Sequence, residues 1–202
     1  FFAGIAGFML PIESPIMLKI ACIVIGAIFG ILFALVPAIL KAYFHVDELV
    51  ITLTLNYAIV KVLEYLSSGP FRADGAGYVA TPMINENAMF QRLGDGYITM
   101  FFIVSIVVLI LIAFVLKKTK LGYEITAIGK NPDFAEATGM RVRRKIIILM
   151  CLSGALAGIA GAGHMMSQEF RYTLSFSGAT GIGWDGMLIA LMGRHSPAGI
   201  LV

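Results

Sequence analysis

The sequence predicts an all-α, polytopic membrane helix bundle, and three observations carry that prediction. Of the 202 residues, 59% are hydrophobic and only 13% are charged, about half the charged share of a soluble domain. The mean hydropathy is +0.91. Long uncharged apolar segments recur along the chain instead of standing once at its start, so they do not form a single signal peptide. Small residues repeat at four-residue spacing inside those segments, as they do where membrane helices approach closely. The 15 basic and 12 acidic residues are too few to coat a soluble globular enzyme. With 14 Phe and 11 Met the chain is not a disordered one either. A net charge of +3 gives no nucleic-acid signal.

A bilayer core of about 30 Å takes about 20 apolar residues in a helix. Residues 1–12 open in an apolar run that reads as the end of an earlier helix, closed by Pro11 and Pro15. Residues 20–40, between Lys19 and Lys41, form the first clean span, and Pro37 predicts a bend in it that serves gating or only shape. Residues 49–66 are a less clean span, carrying Thr52, Thr54, Asn56, Lys61 and Glu64. Lys61 and Glu64 are spaced to pair on one helix face near an end. Residues 98–116 and 146–168 complete the four spans. Residues 182–192 are too short to cross. They read as a half-helix entering the protein interior, or as a tilted helix starting further back within 175–183; the half-helix is preferred. Residues 198–202 read as the first turns of another helix, so the chain is expected to be a fragment of a longer membrane protein. Cys22 and Cys151, both in apolar runs, read as small hydrophobes and not as a disulfide or metal site.

Charge sets the sides. The stretch 117–145 holds Lys117, Lys118, Lys120, Lys130, Arg141, Arg143, Arg144 and Lys145 against Glu124, Asp133 and Glu136. The stretch 67–97 holds Arg72 and Arg92 against Asp74, Glu86 and Asp95. The positive-inside rule places the first in the cytoplasm and the second outside. The external loop is rich in turn residues and either caps the mouth or only connects. Gly26, Gly30 and Ala34 form one small-residue stripe; Gly154, Gly158 and Ala162 form a second; Ser153, Ala157 and Gly161 form a third. They predict close helix packing, with or without a mechanical role.

The cytoplasmic stretch contains its own short helix. Asn131 is a good cap, Pro132 suits the first helical position, Asp133 favours the positive end of the helix dipole, and Gly139 supplies a stop. The helix over 132–138 is about 10 Å long and marginal alone, so flanking spans or a partner must hold it. Phe134, Ala135 and Thr138 offer a small docking knob; the alternative is an ordered loop with a helical turn. No phosphate-cradling Gly-rich loop, HExxH pair or GxSxG occurs, so an ATPase, if one drives transport, is another chain. His164 and His195 read as interfacial polar residues.

The pattern LGYEITAIGKNPDFAEATGM at 121–140, then Arg143–Lys145 and SGALAGIAGAG at 153–163, resembles the cytoplasmic signature and following helix of a known family. GIGWDGMLIALMG at 181–193, then Pro197 and Gly199, resembles its next block, and VDELVITLTLNYA at 46–58 the entry to an earlier span. The family is that of the membrane permease subunits of ABC importers for branched-chain amino acids, simple sugars and nucleosides. With SSGPFR at 67–72 in its external loop, the chain looks most like the nucleoside-type permeases. Ribose or another simple sugar is the runner-up cargo, and branched-chain amino acids are less similar.

The resemblance implies a multi-pass protein of the cytoplasmic membrane, with no enzyme activity and no cofactor of its own. It implies an extracytoplasmic solute-binding protein, a second permease subunit (identical or homologous), and cytoplasmic ATPases that bind ATP and Mg. The coupling helix would be Asn131, Pro132, Asp133, Phe134, Ala135, Glu136, Thr138 and Gly139, seated on an ATPase. Pore-facing candidates are Thr52, Asn56, Ser105, Trp184 and Asp185. Asn56 either bonds a passing solute or a neighbouring helix. Trp184 either stacks on a base or anchors at the interface, and Asp185 either meets solute or sits at the positive end of its helix. An ion-coupled carrier would instead need buried acids at mid-membrane, where only Glu64 and Asp185 are candidates and neither is central.

Overall fold

A computed structural model describes residues 1–44, 46–73, 77–93, 98–174, 176, 181–194, 196–197 and 199–200. His195, much of 175–183 and most of 198–202 lie outside the described residues, as do Asp74 and Asp95. The architecture is all-α, with four helices among the described residues long and apolar enough to cross a membrane. In chain order the α-helices among the described residues are α1 (Phe2–Met9), α2 (Pro15–Phe44), α3 (Glu48–Ser68), α4 (Phe101–Lys118), α5 (Lys120–Lys130), α6 (Pro132–Ala137), α7 (Val142–His164) and α8 (Ile182–Met192). A π-helical turn, Met165–Glu169, extends α7.

Helix ends follow local chemistry. Pro15 starts α2, where its missing N–H costs nothing. The helix runs unbroken through buried Pro37. Asp47 caps α3, its carboxylate accepting the Leu49 N–H at 2.8 Å, and the Lys41–Glu48 ion pair ties the end of α2 to the start of α3. Lys61 Nζ meets Glu64 Oε2 at 2.8 Å, the pair that the spacing predicts.

The closest helix packing is the seam between α2 and α7. Gly26 and Gly30 face Gly154 and Gly158 so closely that a Cβ on Gly30 would strike the Gly154 carbonyl oxygen, and one on Gly158 that of Gly26. Two of the three small-residue stripes are therefore one interface. The third is not part of it, since Gly161 has nothing within 4 Å of where a Cβ would stand.

The stretch 67–97 is more than a connector in its described part. Thr81 N–H donates to Tyr172 O at 3.0 Å, Ile84 N–H to Phe170 O at 2.9 Å, and Phe90 N–H to Met166 O at 2.9 Å. Ile84, Ala88 and Phe90 are buried with Ala3 and Ala6 of α1, Leu18 and Cys22 of α2, and Met166. The segment is a plug over one end of the bundle.

At the opposite end, the stretch 117–145 is not a loop with one short helix. It is a helical elbow of two, and α5 was not expected. Thr119 caps α5, its hydroxyl accepting the Gly122 N–H at 3.4 Å. Leu121, Ile125 and Ile128 recur at helical spacing, and Ile125 and Ile128 pack towards Ile146 and Leu149 of α7. Gly122 permits the sharp turn from α4, because a Cβ there would lie 2.5 Å from the Leu116 carbonyl carbon. Helix α8 has 11 residues, about 16 Å at 1.5 Å each, and cannot cross a bilayer. Gly181, at φ +58, ends it on the N-terminal side, which disfavours a helix continuing back through that point.

Candidate functional site

Two places hold polar groups against the apolar bundle. The first is a cleft of about 450 Å³ where α2, α3 and α7 diverge. Thr52 and Asn56, one helical turn apart on α3, line it opposite Ser153 and Ala157 of α7, with Pro37 and Phe33 of α2 between them. Thr52 is locally satisfied, its hydroxyl donating to the Glu48 carbonyl at 2.8 Å. Asn56 has no hydrogen-bonding partner among the described residues, so its carboxamide is open to the cleft. Further along α3, past Ile59 to Leu63, the cleft continues into an aromatic pocket of about 220 Å³ lined by Phe1, Phe2, Phe29, Phe33 and Phe176. Phe2 stacks on Phe29 with centroids 3.7 Å apart and planes 5° apart.

The structure does not bring the five candidate path residues together. Ser105 lies across α7 from Thr52 and Asn56, in a separate apolar cleft against Leu156 and Ile159. Its hydroxyl donates to the Phe102 carbonyl at 2.7 Å. Trp184 and Asp185 are exposed on α8 and line neither cleft; Trp184 is 64% exposed. Reading along the chain missed Ser153, Ala157 and the phenylalanines. The third small-residue stripe was the available signal, because residues too small to fill a gap leave one.

The second place is the elbow. Asn131 Oδ1 accepts the Phe134 N–H at 3.0 Å and caps α6, which ends at Ala137 with Thr138 as its C-cap. Gly139 follows at φ +83, a left-handed position that favours glycine. Pro132, Asp133, Phe134, Glu136 and Thr138 are exposed, so the exposed face of the knob is built from them. Ala135 is fully buried and faces inward, which removes it from the expected docking surface. The Thr138 hydroxyl donates to the Ala135 carbonyl at 2.8 Å. The elbow is braced on the bundle by Lys145 of α7, whose Nζ meets Glu124 Oε2 of α5 at 2.5 Å. Among the described residues no group of three or more His, Cys, Asp or Glu side chains could hold a metal.

A protein-family model described as the permease component of branched-chain amino acid transport systems matches residues 1–202. The chain belongs to that family. The permease is 33% identical over 201 residues to the nucleoside ABC transporter permease protein NupB of Lactococcus lactis subsp. cremoris, covering 94% of this chain and 54% of that protein. It is 31% identical over 188 residues to the guanosine ABC transporter permease protein NupP of Bacillus subtilis, covering 89% and 52%. It is also 27% identical over 193 residues to the glucose ABC transporter permease protein TsgB13 of Haloferax volcanii, covering 90% and 49%. The chain thus spans about half the length of these curated relatives. No solved structure matches it.

Proposed function

We propose that this chain belongs to the membrane subunit of an ABC importer for nucleosides, resident in the cytoplasmic membrane. The observation that carries this reading is its 33% and 31% identity, over most of the chain, to permeases named for nucleosides and guanosine. The chemistry of the α2–α3–α7 cleft supports it. A nucleoside has a planar base and a hydroxyl-rich sugar. Stacked phenylalanines offer a face to the base, and aromatic stacking contributes about 1–3 kcal/mol per base. The Asn56 carboxamide, able to donate and accept, suits a ribose hydroxyl or a base edge. These contacts are few, as passage requires, since tight binding slows release. A simple sugar remains the runner-up, because a glucose permease is among the relatives.

The working assembly contains two permease subunits, two cytoplasmic ATPases that carry ATP and Mg, and an extracytoplasmic binding protein. Helix α6 is the coupling helix, with Asn131, Pro132, Asp133, Phe134, Glu136, Thr138 and Gly139 at the ATPase surface. ATPase closure pushes α6, the braced elbow carries the push to α4 and α7, and the seam transmits it from α7 to α2. The cleft between α2, α3 and α7 then opens alternately to either side.

Competition against ATP-dependent uptake in vesicles tests the cargo. Nucleosides are expected to displace the transported solute, while ribose, glucose and leucine do not; displacement by leucine with nucleosides inert would overturn the assignment. Replacing 132–138 by a Gly/Ser linker is expected to abolish ATPase co-purification and uptake. Persistence of both would sink the coupling role. An impermeant thiol reagent is expected to miss Asp133→Cys in intact cells; labelling from outside would reverse the sides.

A further inference from the structure

The basic end of the bundle carries an unbalanced group of arginines. Arg141, Arg143 and Arg144 line a groove of about 540 Å³ with Tyr43, from the last turn of α2, and Glu136 of α6. Four basic residues, Arg141 to Lys145, stand at the start of α7, the positive end of its dipole, where cations are unfavourable. Only Lys145 has a carboxylate partner among the described residues, in Glu124. Arg143 also sits 5.8 Å over the Tyr43 ring. Arg141 supplies no side-chain cap; the Val142 N–H donates to the Met140 carbonyl at 3.0 Å, and the Arg143 and Arg144 N–H groups that follow add to the positive field. Glu136 is the single acid lining the groove among the described residues. Such an arrangement is stabilised by an anion with several acceptor oxygens.

The position of the groove narrows the anion's source. It lies where the last turn of one candidate span, Pro15–Phe44, meets the first turn of another, Val142–Glu169, and the end of a spanning helix is where lipid headgroups are expected. Large apolar side chains are exposed next to it, Phe44 at 70% and Ile148 at 44%, and could contact acyl chains. We infer that this groove binds the phosphate headgroup of an anionic phospholipid and holds it between α2, α6 and α7. A lipid held there ties the start of α7 to the elbow, so the membrane's anionic content would tune how the elbow moves. The inference does not depend on which solute is carried.

The test uses the full-length permease in its assembled transporter, purified and reconstituted in nanodiscs, with phosphatidylglycerol and phosphatidylcholine as probes. The wild type is expected to retain phosphatidylglycerol selectively. The triple variant Arg141→Gln, Arg143→Gln, Arg144→Gln is expected to lose roughly a hundredfold in that affinity, at about fivefold per basic residue near the membrane surface. A matched triple, Lys117→Gln, Lys118→Gln, Lys120→Gln, removes as much charge from the same end and is expected to lose far less. Equal losses in the two triples would mean a diffuse basic surface and overturn the site. Displacement of the lipid by millimolar inorganic phosphate would reassign the groove to a soluble anion. Unchanged lipid binding with loss of the ATPase in the groove triple would assign it to the partner protein. If the groove triple does not fold, photo-crosslinking phosphatidylglycerol to the wild type is decisive: adducts at residues 141–144 support the site, and adducts only elsewhere overturn it.

Discussion

Gly158→Ala probes the seam on which the fold rests. A Cβ at Gly158 would fall on the Gly26 carbonyl group, 2.8 Å from its carbon and 3.1 Å from Ala27 Cα. Those atoms are backbone, so no rotamer change relieves the collision. Restoring carbon contacts of about 3.5 Å requires roughly 1 Å of separation between α2 and α7. That shift loosens the facing Gly30–Gly154 approach as well. Over-packing of this kind costs about 1–3 kcal/mol. Alanine regains up to about 1 kcal/mol of helix propensity over glycine, which leaves a net loss of about 0–2 kcal/mol at full regain. Gly161→Ala, one turn along on the same helix, meets open space, and is expected to be neutral or stabilising by up to about 1 kcal/mol. Thermal unfolding of the full-length permease in detergent, followed by circular dichroism, measures both variants. If Gly158→Ala unfolds no earlier than Gly161→Ala, the close approach of the two backbones is refuted.

Three other perturbations address the elbow and the cleft. Glu124→Ala leaves the Lys145 ammonium half-buried without its partner, at an expected cost of about 1–3 kcal/mol; the double variant Glu124→Leu, Lys145→Met should recover most of it in the same unfolding assay. Asn131→Ala removes the acceptor for the Phe134 N–H and about 1 kcal/mol of helix stability. In a helix of six residues that loss is large, so ATPase co-purification should weaken while global unfolding barely changes, and Asn131→Asp should retain both. Asn56→Leu is expected to raise KM for solute uptake severalfold, whereas Ser105→Ala, across α7 and already bonded to Phe102, leaves it unchanged; equal effects would remove the cleft from the substrate path.

The spans were legible because lipid imposes a simple rule: about 20 apolar residues must follow one another. The ends drifted by a few residues, since α2 reaches from Pro15 to Phe44 and α4 from Phe101 to Lys118. Local bonds stand at two of those ends, the Lys41–Glu48 ion pair at the end of α2 and the Thr119 hydroxyl donating to the Val115 carbonyl at the end of α4, and hydropathy does not report them. Asn131 and Pro132 announced α6 because capping is local chemistry. Helix α5 escaped notice because its lysines and glycines masked the apolar repeat at Leu121, Ile125 and Ile128. Its apolar face has meaning only against α7.

Site residues were harder, because a polar residue in a span looks the same wherever it faces. Thr52 and Asn56 share a face by spacing, and they do line one cleft. Ser105 looked equivalent but points into a different one, and Trp184 and Asp185 stand apart on α8. Ala135 looked like part of an exposed knob and is buried.

What the sequence alone determined is therefore everything governed by neighbours in the chain: four apolar spans, their charge asymmetry, the capped helix α6, and the stripes of small residues. Tertiary structure alone decided which stripes meet, which polar side chains share a cleft, and that Tyr43 stands beside Arg143 about a hundred positions away. Periodicity fixes a residue's angle about its own helix axis. Only the packing of one helix on another fixes what that angle faces.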